Sequence, residues 1–147
     1  MKKLARILLV EDSDARAATL RSWIPANIRV VWAKCGGDAV GILRRDGSDT
    51  YSGIMLDFDL HLQLRDQGAK QLNGADVARK SVEHISTDTP IFIHSMNPGR
   101  RGDILSLLEE AGFEVTRIPM SKLDARVLQA WLEKVDRVHK ERGEEAE

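Results

Sequence analysis

Four acidic side chains stand close behind apolar runs in this sequence: Glu11 and Asp12 after Ile7 to Val10, and Asp57 and Asp59 after Gly53 to Leu56. A third run, Pro90 to His94, ends in His94, Ser95 and Asn97. If these ends meet, several carboxylates share one place, and like charges that close are unfavourable unless a cation or a shared proton relieves them. A hard divalent ion is the simplest remedy. Magnesium takes oxygen ligands, keeps several waters and is commonly held by one or two carboxylates together with a phosphate. The pattern therefore predicts a Mg2+ site that presents a phosphoryl group to Asp57. Such a carboxylate can attack phosphorus and form an acyl phosphate, with Ser95 bonding a phosphoryl oxygen. A plainer role exists for Glu11, Asp12, Ser13 and Asp14, which could cap the first helix and complement its dipole. Asp57 has no nearby helix to cap.

The ends meet only if the elements bring them together. Ile7 to Val10 is a continuous branched run, suited to a strand buried on both faces. Ile28 to Ala33, Gly53 to Leu56, Pro90 to His94 and Phe113 to Ile118 resemble it, Pro90 being tolerable at a strand start. Helical spacing fills the intervals over Asp14 to Ile24, Asp38 to Arg45, Ala75 to Ile85, Ile104 to Ala111, and Leu123 to about Lys140. This alternation predicts an α/β domain with a doubly wound, five-stranded parallel sheet in the flavodoxin-like order 2-1-3-4-5. In that order ligands bind outside the carboxyl ends, near the switch point between strands 1 and 3. The polar residues stand where that rule puts a site. The connection from Phe58 to Asn73 is long for an α/β unit and reads as a functional loop.

The 147 residues suit a single domain, read as 1–140 with an acidic tail at 141–147 that frays. Apolar residues make up 42% and charged residues 31%, with a net charge of −1, so there is no field to draw in nucleic acid or an acidic membrane. Cys35 is alone, which excludes an internal disulfide, fits a reducing cytoplasm, and reads as a small strand-end residue. The basic N-terminus leads into an apolar run too short for a signal peptide or a membrane span.

Ile-Leu-Leu-Val-Glu-Asp-Ser, Ile-Met-Leu-Asp, Ile-Phe-Ile-His-Ser and Ile-Pro, in that order, resemble the receiver (CheY-like) domain of bacterial response regulators over residues 5 to about 133. The resemblance implies that Glu11 and Asp12 hold magnesium with the phosphoacceptor Asp57. It also implies that the backbone carbonyl of Asp59 completes the ligands and that Ser95 binds the phosphoryl group. The chain departs from the pattern at several points. Ile118 stands where receivers carry a Lys before Pro, and Arg117 and Lys122 are out of register for it. Val115 replaces the strand 5 aromatic, Met96 a small Ala, and Leu60 and His61 a Met-Pro pair. Asp57-Phe58-Asp59-Leu60, the long loop and His94-Ser95-Met96-Asn97-Pro98 are similar to a divergent receiver group thought to process cyclic phosphates. An Asp-x-Asp pair supplies a nucleophile or metal ligand and an acid or base, while His94 can protonate a leaving oxygen.

Other candidates have plainer explanations. His94 also reads as a hydrogen-bonded core histidine, and Asn97-Pro98-Gly99 as a turn. Arg100 and Arg101 read as solvated, and Arg65, Lys70 and Gln71 as loop surface. His61, His84 and His139 lack metal-like spacing. Trp23 and Trp131 read as packing of the first and last helices on one sheet face, and Trp32 as packing on an outer strand. The charged distal half of the last helix reads as a solvated extension or a homodimer contact.

The resulting expectation is a stand-alone receiver that binds Mg2+ through Glu11, Asp12, Asp57 and Asp59 and accepts a phosphoryl group on Asp57. Its donor would be a histidine kinase or phosphotransfer protein. The alternatives are a metal-dependent phosphoesterase acting on cyclic phosphates, using Asp59, His94 and Ser95 as well, and an interaction module that is not phosphorylated.

Overall fold

Along the central strands successive apolar side chains face opposite ways, and each face is covered. The computed structural model describes residues 4–57, 74–94 and 101–146. Within them lie strands β1 (Ala5–Val10), β2 (Ile28–Ala33), β3 (Gly53–Leu56), β4 (Ile91–Ile93) and β5 (Val115–Arg117). The helices are α1 (Asp14–Ser22), α2 (Gly36–Arg45), α3 (Gly74–His84), α4 (Arg101–Glu110) and α5 (Ala125–Ala146). The sheet order is β2-β1-β3-β4-β5 and every pairing is parallel, as the alternation predicted.

One layer of core joins Leu8, Val10, Ile54, Leu56, Ile91 and Ile93 to α2, α3 and α4 through residues such as Leu43, Val77 and Leu108. The other joins Ile7, Leu9, Met55 and Phe92 to α1 and α5 through Leu20, Leu128, Trp131 and Val135. Strands buried on both faces need unbroken apolar runs, which is why β1, β3 and β4 do not alternate in polarity. Trp23 and Trp131 lie on the same layer, as expected, and Trp131 meets Phe92 edge-on at 5.3 Å. Gly53 permits α5 to come this close, since a Cβ there would lie 2.7 Å from Val135 Cγ2 and 2.8 Å from Trp131 Cη2.

Three details depart from the sequence expectations. Cys35 does not end a strand but caps α2, its Sγ accepting from Asp38 N at 3.5 Å. A 3-10 turn, Met120–Lys122, precedes α5, which starts only where the Asp124 carboxylate accepts from Val127 N at 2.8 Å. The acidic stretch read as a frayed tail is helical through Ala146. Arg142 holds that end: its guanidinium donates to Tyr51 O at 2.6 Å, Asp88 Oδ1 at 2.7 Å and Thr89 Oγ1 at 2.6 Å.

Candidate functional site

β1, β3 and β4 end in step, and each is followed by a polar residue still tied to the sheet. Glu11 N donates to Ala33 O at 3.1 Å, Asp57 N to Val10 O at 3.1 Å, and His94 N to Leu56 O at 3.3 Å. The three side chains are thus fixed by sheet register rather than by loop conformation. All three are buried, at 0%, 3% and 1% exposure respectively. One ligating atom from each lies within 4.8 Å of the others. The three side chains therefore gather at the carboxyl ends of β1, β3 and β4, where His94 joins the two carboxylates.

Glu11 is the hub. Its Oε1 accepts from Arg16 Nε at 2.9 Å and from His94 Nε2 at 3.2 Å. Its Oε2 accepts from Ser13 N at 3.1 Å and from Arg16 Nη2 at 3.1 Å. Burial pushes the Glu11 carboxyl up, but hydrogen bonds from His94, Arg16 and Ser13 more than offset it and hold the group far below the usual carboxylate range. An ionised Glu11 only accepts, so the His94 proton facing it sits on Nε2. His94 Nδ1 is buried with no hydrogen-bond partner among the described residues.

Arg16 Nη2 also lies 3.3 Å from Asp12 Oδ1 and 3.4 Å from Asp57 Oδ2, so one guanidinium touches three carboxylates. Its hydrogen bond to Glu11 raises its pKa beyond the already high arginine value, against the opposing effect of burial. The Asp12 side chain is 3% exposed and belongs to the same cluster. The capping role splits off: Ser13 caps α1 by accepting from Arg16 N at 3.2 Å, while Asp14 pairs with Lys34 at 2.9 Å. Trp32 Nε1 donates to the Glu11 carbonyl at 2.8 Å, so its ring does more than pack an outer strand.

Of the residues named from sequence, Glu11, Asp12, Asp57 and His94 come together. Asp59 and Ser95 lie outside the described residues, as do His61, Arg65, Lys70, Gln71, Met96, Asn97, Pro98, Gly99 and Arg100. Ile118 packs with the α1–α5 layer, and Arg117 and Lys122 are exposed, so the cation seen at the pocket comes from α1 instead. Sequence reasoning missed Arg16 and Trp32. Arg16 left a signal, lying four residues after Asp12, one helical turn away; Trp32 left none beyond its strand.

Asp12 and Asp57 supply the oxygen donors that a hard cation prefers, and both contact the Arg16 guanidinium, while the ligating atoms that lie within 4.8 Å of one another belong to Glu11, Asp57 and His94. Direct ligation by Glu11 requires it to give up one of its four accepted bonds.

Residues 6–110 match the sequence profile of the cyclic-phosphate processing receiver domain. Among curated proteins none matches significantly. Solved structures similar to the chain include a CheY-like response regulator receiver domain protein from Methanospirillum hungatei JF-1. Its TM-score is 0.68 at 18% identity, covering 94% of this chain and 98% of that one. The signal receiver domain of a putative Luxo repressor protein from Vibrio parahaemolyticus gives a TM-score of 0.65 at 20% identity, covering 95% of each chain. The response regulator domain of Thermotoga maritima CheB gives 0.63 at 19% identity, covering 93% and 97%. At these identities the likeness shows a CheY-like fold. No helix among the described residues is long and apolar enough to cross a membrane.

Proposed function

The chain belongs to the cyclic-phosphate processing receiver family, and on that premise we propose that it is a metal-dependent phosphoesterase opening a cyclic phosphate at the Asp12–Asp57 pocket. The observation that carries this reading is the buried Glu11–His94 pair beside Asp57. A carboxylate that fixes an imidazole tautomer and leaves the other ring nitrogen with a lone pair is the arrangement of a general base. His94 Nδ1 takes a proton from the attacking water and returns it to the leaving oxygen as the ring P–O bond breaks, giving a phosphomonoester. Glu11 steadies the imidazolium while the proton is held.

Asp12 and Asp57 would hold the ion, Glu11 would add charge behind them, and Asp59 and Ser95 would complete the site. When bound, Mg2+ supplies Lewis acidity toward a phosphoryl oxygen and offsets the charge that gathers there. The test is turnover of a panel of nucleoside and sugar cyclic phosphates with Mg2+. Multiple turnovers that fall by about a hundredfold or more in His94→Gln and Asp57→Asn are expected. Silence across the panel in the wild-type protein would remove the proposal.

A second reading is favoured by the position of Asp57, buried at the carboxyl end of β3 in a receiver fold. There Asp57 accepts a phosphoryl group from a histidine kinase or phosphotransfer protein and relays a signal. Stoichiometric labelling by acetyl phosphate without turnover of any cyclic phosphate would favour it.

A further inference from the structure

The contacts of Arg16 fall into two kinds. Toward Glu11 it makes a two-pronged fork at 2.9 and 3.1 Å, the strong geometry for guanidinium and carboxylate. Toward Asp12 and Asp57 the same Nη2 makes only long contacts, at 3.3 and 3.4 Å. The Arg16 side chain is 39% exposed, whereas Glu11, Asp12 and Asp57 are nearly enclosed. The guanidinium is thus anchored at one carboxylate and lies across the two others from the solvent side.

A divalent ion would be held by Asp12 and Asp57, and Asp12 Oδ1 and Asp57 Oδ2 are the oxygens that face Nη2. Two cations cannot share them without close repulsion, so Nη2 would leave these oxygens together with its own prong on Glu11, while the Nε bond to Glu11 Oε1 would keep the guanidinium beside the pocket. Its Nη donors would then be available to an anion held at the pocket.

We propose that Arg16 is an exchange cation: it offsets part of the negative charge of Glu11, Asp12 and Asp57 when no metal is bound, yields Asp12 and Asp57 to the divalent ion, and then binds the phosphoryl oxygens of the substrate while still anchored on Glu11 through Nε. This rests on the phosphoryl-site reading above. It assigns the anion contact to α1, since Ile118, the residue after β5, packs with the α1–α5 layer and carries no charge. A lysine at position 16 keeps the charge but loses the fork.

The experiment uses the full chain and two probes, Mn2+ alone read by electron paramagnetic resonance, and orthophosphate added to Mg2+-saturated protein read by calorimetry. Arg16→Gln is expected to bind Mn2+ about tenfold more tightly than wild type, and orthophosphate about tenfold more weakly. Arg16→Lys is expected to shift both in the same directions by a smaller factor, and it carries the test if Arg16→Gln fails to fold. Unchanged or weaker Mn2+ binding, or unchanged orthophosphate binding, in a folded variant overturns the proposal while leaving the metal site standing. Failure of wild-type protein to bind Mn2+ overturns both the proposal and the phosphoryl-site reading.

Discussion

Glu11→Gln isolates the hub of the pocket. In the wild-type protein each carboxylate oxygen accepts two hydrogen bonds, one pair from Arg16 Nε and His94 Nε2, the other from Ser13 N and Arg16 Nη2. Glutamine keeps one acceptor oxygen and puts an NH2 group in place of the other, so either amide orientation sets that NH2 against an Arg16 N–H donor. A lost buried hydrogen bond costs about 1 kcal/mol, and more when a charge is involved. Arg16 is 39% exposed, so water recovers part of its share, and one fewer carboxylate eases the crowding with Asp12 and Asp57. The net expectation is a loss of about 2 kcal/mol, or a Tm lower by roughly 6 °C for a domain of this size. Urea unfolding followed by far-ultraviolet circular dichroism measures it.

The pH dependence supplies a second arm. The folded-state pKa of Glu11 is depressed, so its stabilising contribution is fully present above the ordinary value of 4.5 and is lost as pH falls below it. The gap between wild type and variant is therefore full at neutral pH and narrows steadily below pH 4.5. A difference under about 0.5 kcal/mol at neutral pH, or a gap that widens in acid, would refute the hub role.

Three further outcomes follow from the packing. Gly53→Ala drives a methyl group into Trp131 and Val135, so urea titration should show a loss of about 2–3 kcal/mol from overpacking under α5. Arg142→Ala removes the clamp on Tyr51 O, Asp88 and Thr89; amide exchange over residues 136–146 should quicken, with about 1–2 kcal/mol lost overall. Trp32 touches the Glu11 carbonyl whereas Trp23 packs in the α1–α5 layer, so a Mg2+-induced fluorescence change should vanish in Trp32→Phe and persist in Trp23→Phe.

The order and direction of the strands were legible because β1 from Ile7 on, β3 and β4 are buried on both faces and carry unbroken apolar runs, while their helices carry a different period. Element ends were less so. β5 spans only Val115–Arg117, within the longer strand predicted over Phe113 to Ile118. The start of α5 depends on a side-chain cap at Asp124, and its end on Arg142 reaching residues far away in sequence. Glu11, Asp12 and Asp57 could be placed together from topology alone, since strand ends fix them. The fork from Arg16 to Glu11 and the indole bond from Trp32 to the Glu11 carbonyl could not, because both depend on side-chain reach across elements rather than on pattern. His94 was visible as a candidate; its pairing with Glu11 depends on how far the side chains reach between the ends of β1 and β4.

The most direct test is a calorimetric Mg2+ titration of the wild-type protein beside Asp57→Asn. One saturable site in the millimolar range, weakened about tenfold or more in the variant, is the predicted result. Absence of saturation in the wild type, or equal binding by both proteins, would contradict a metal site built on Asp57.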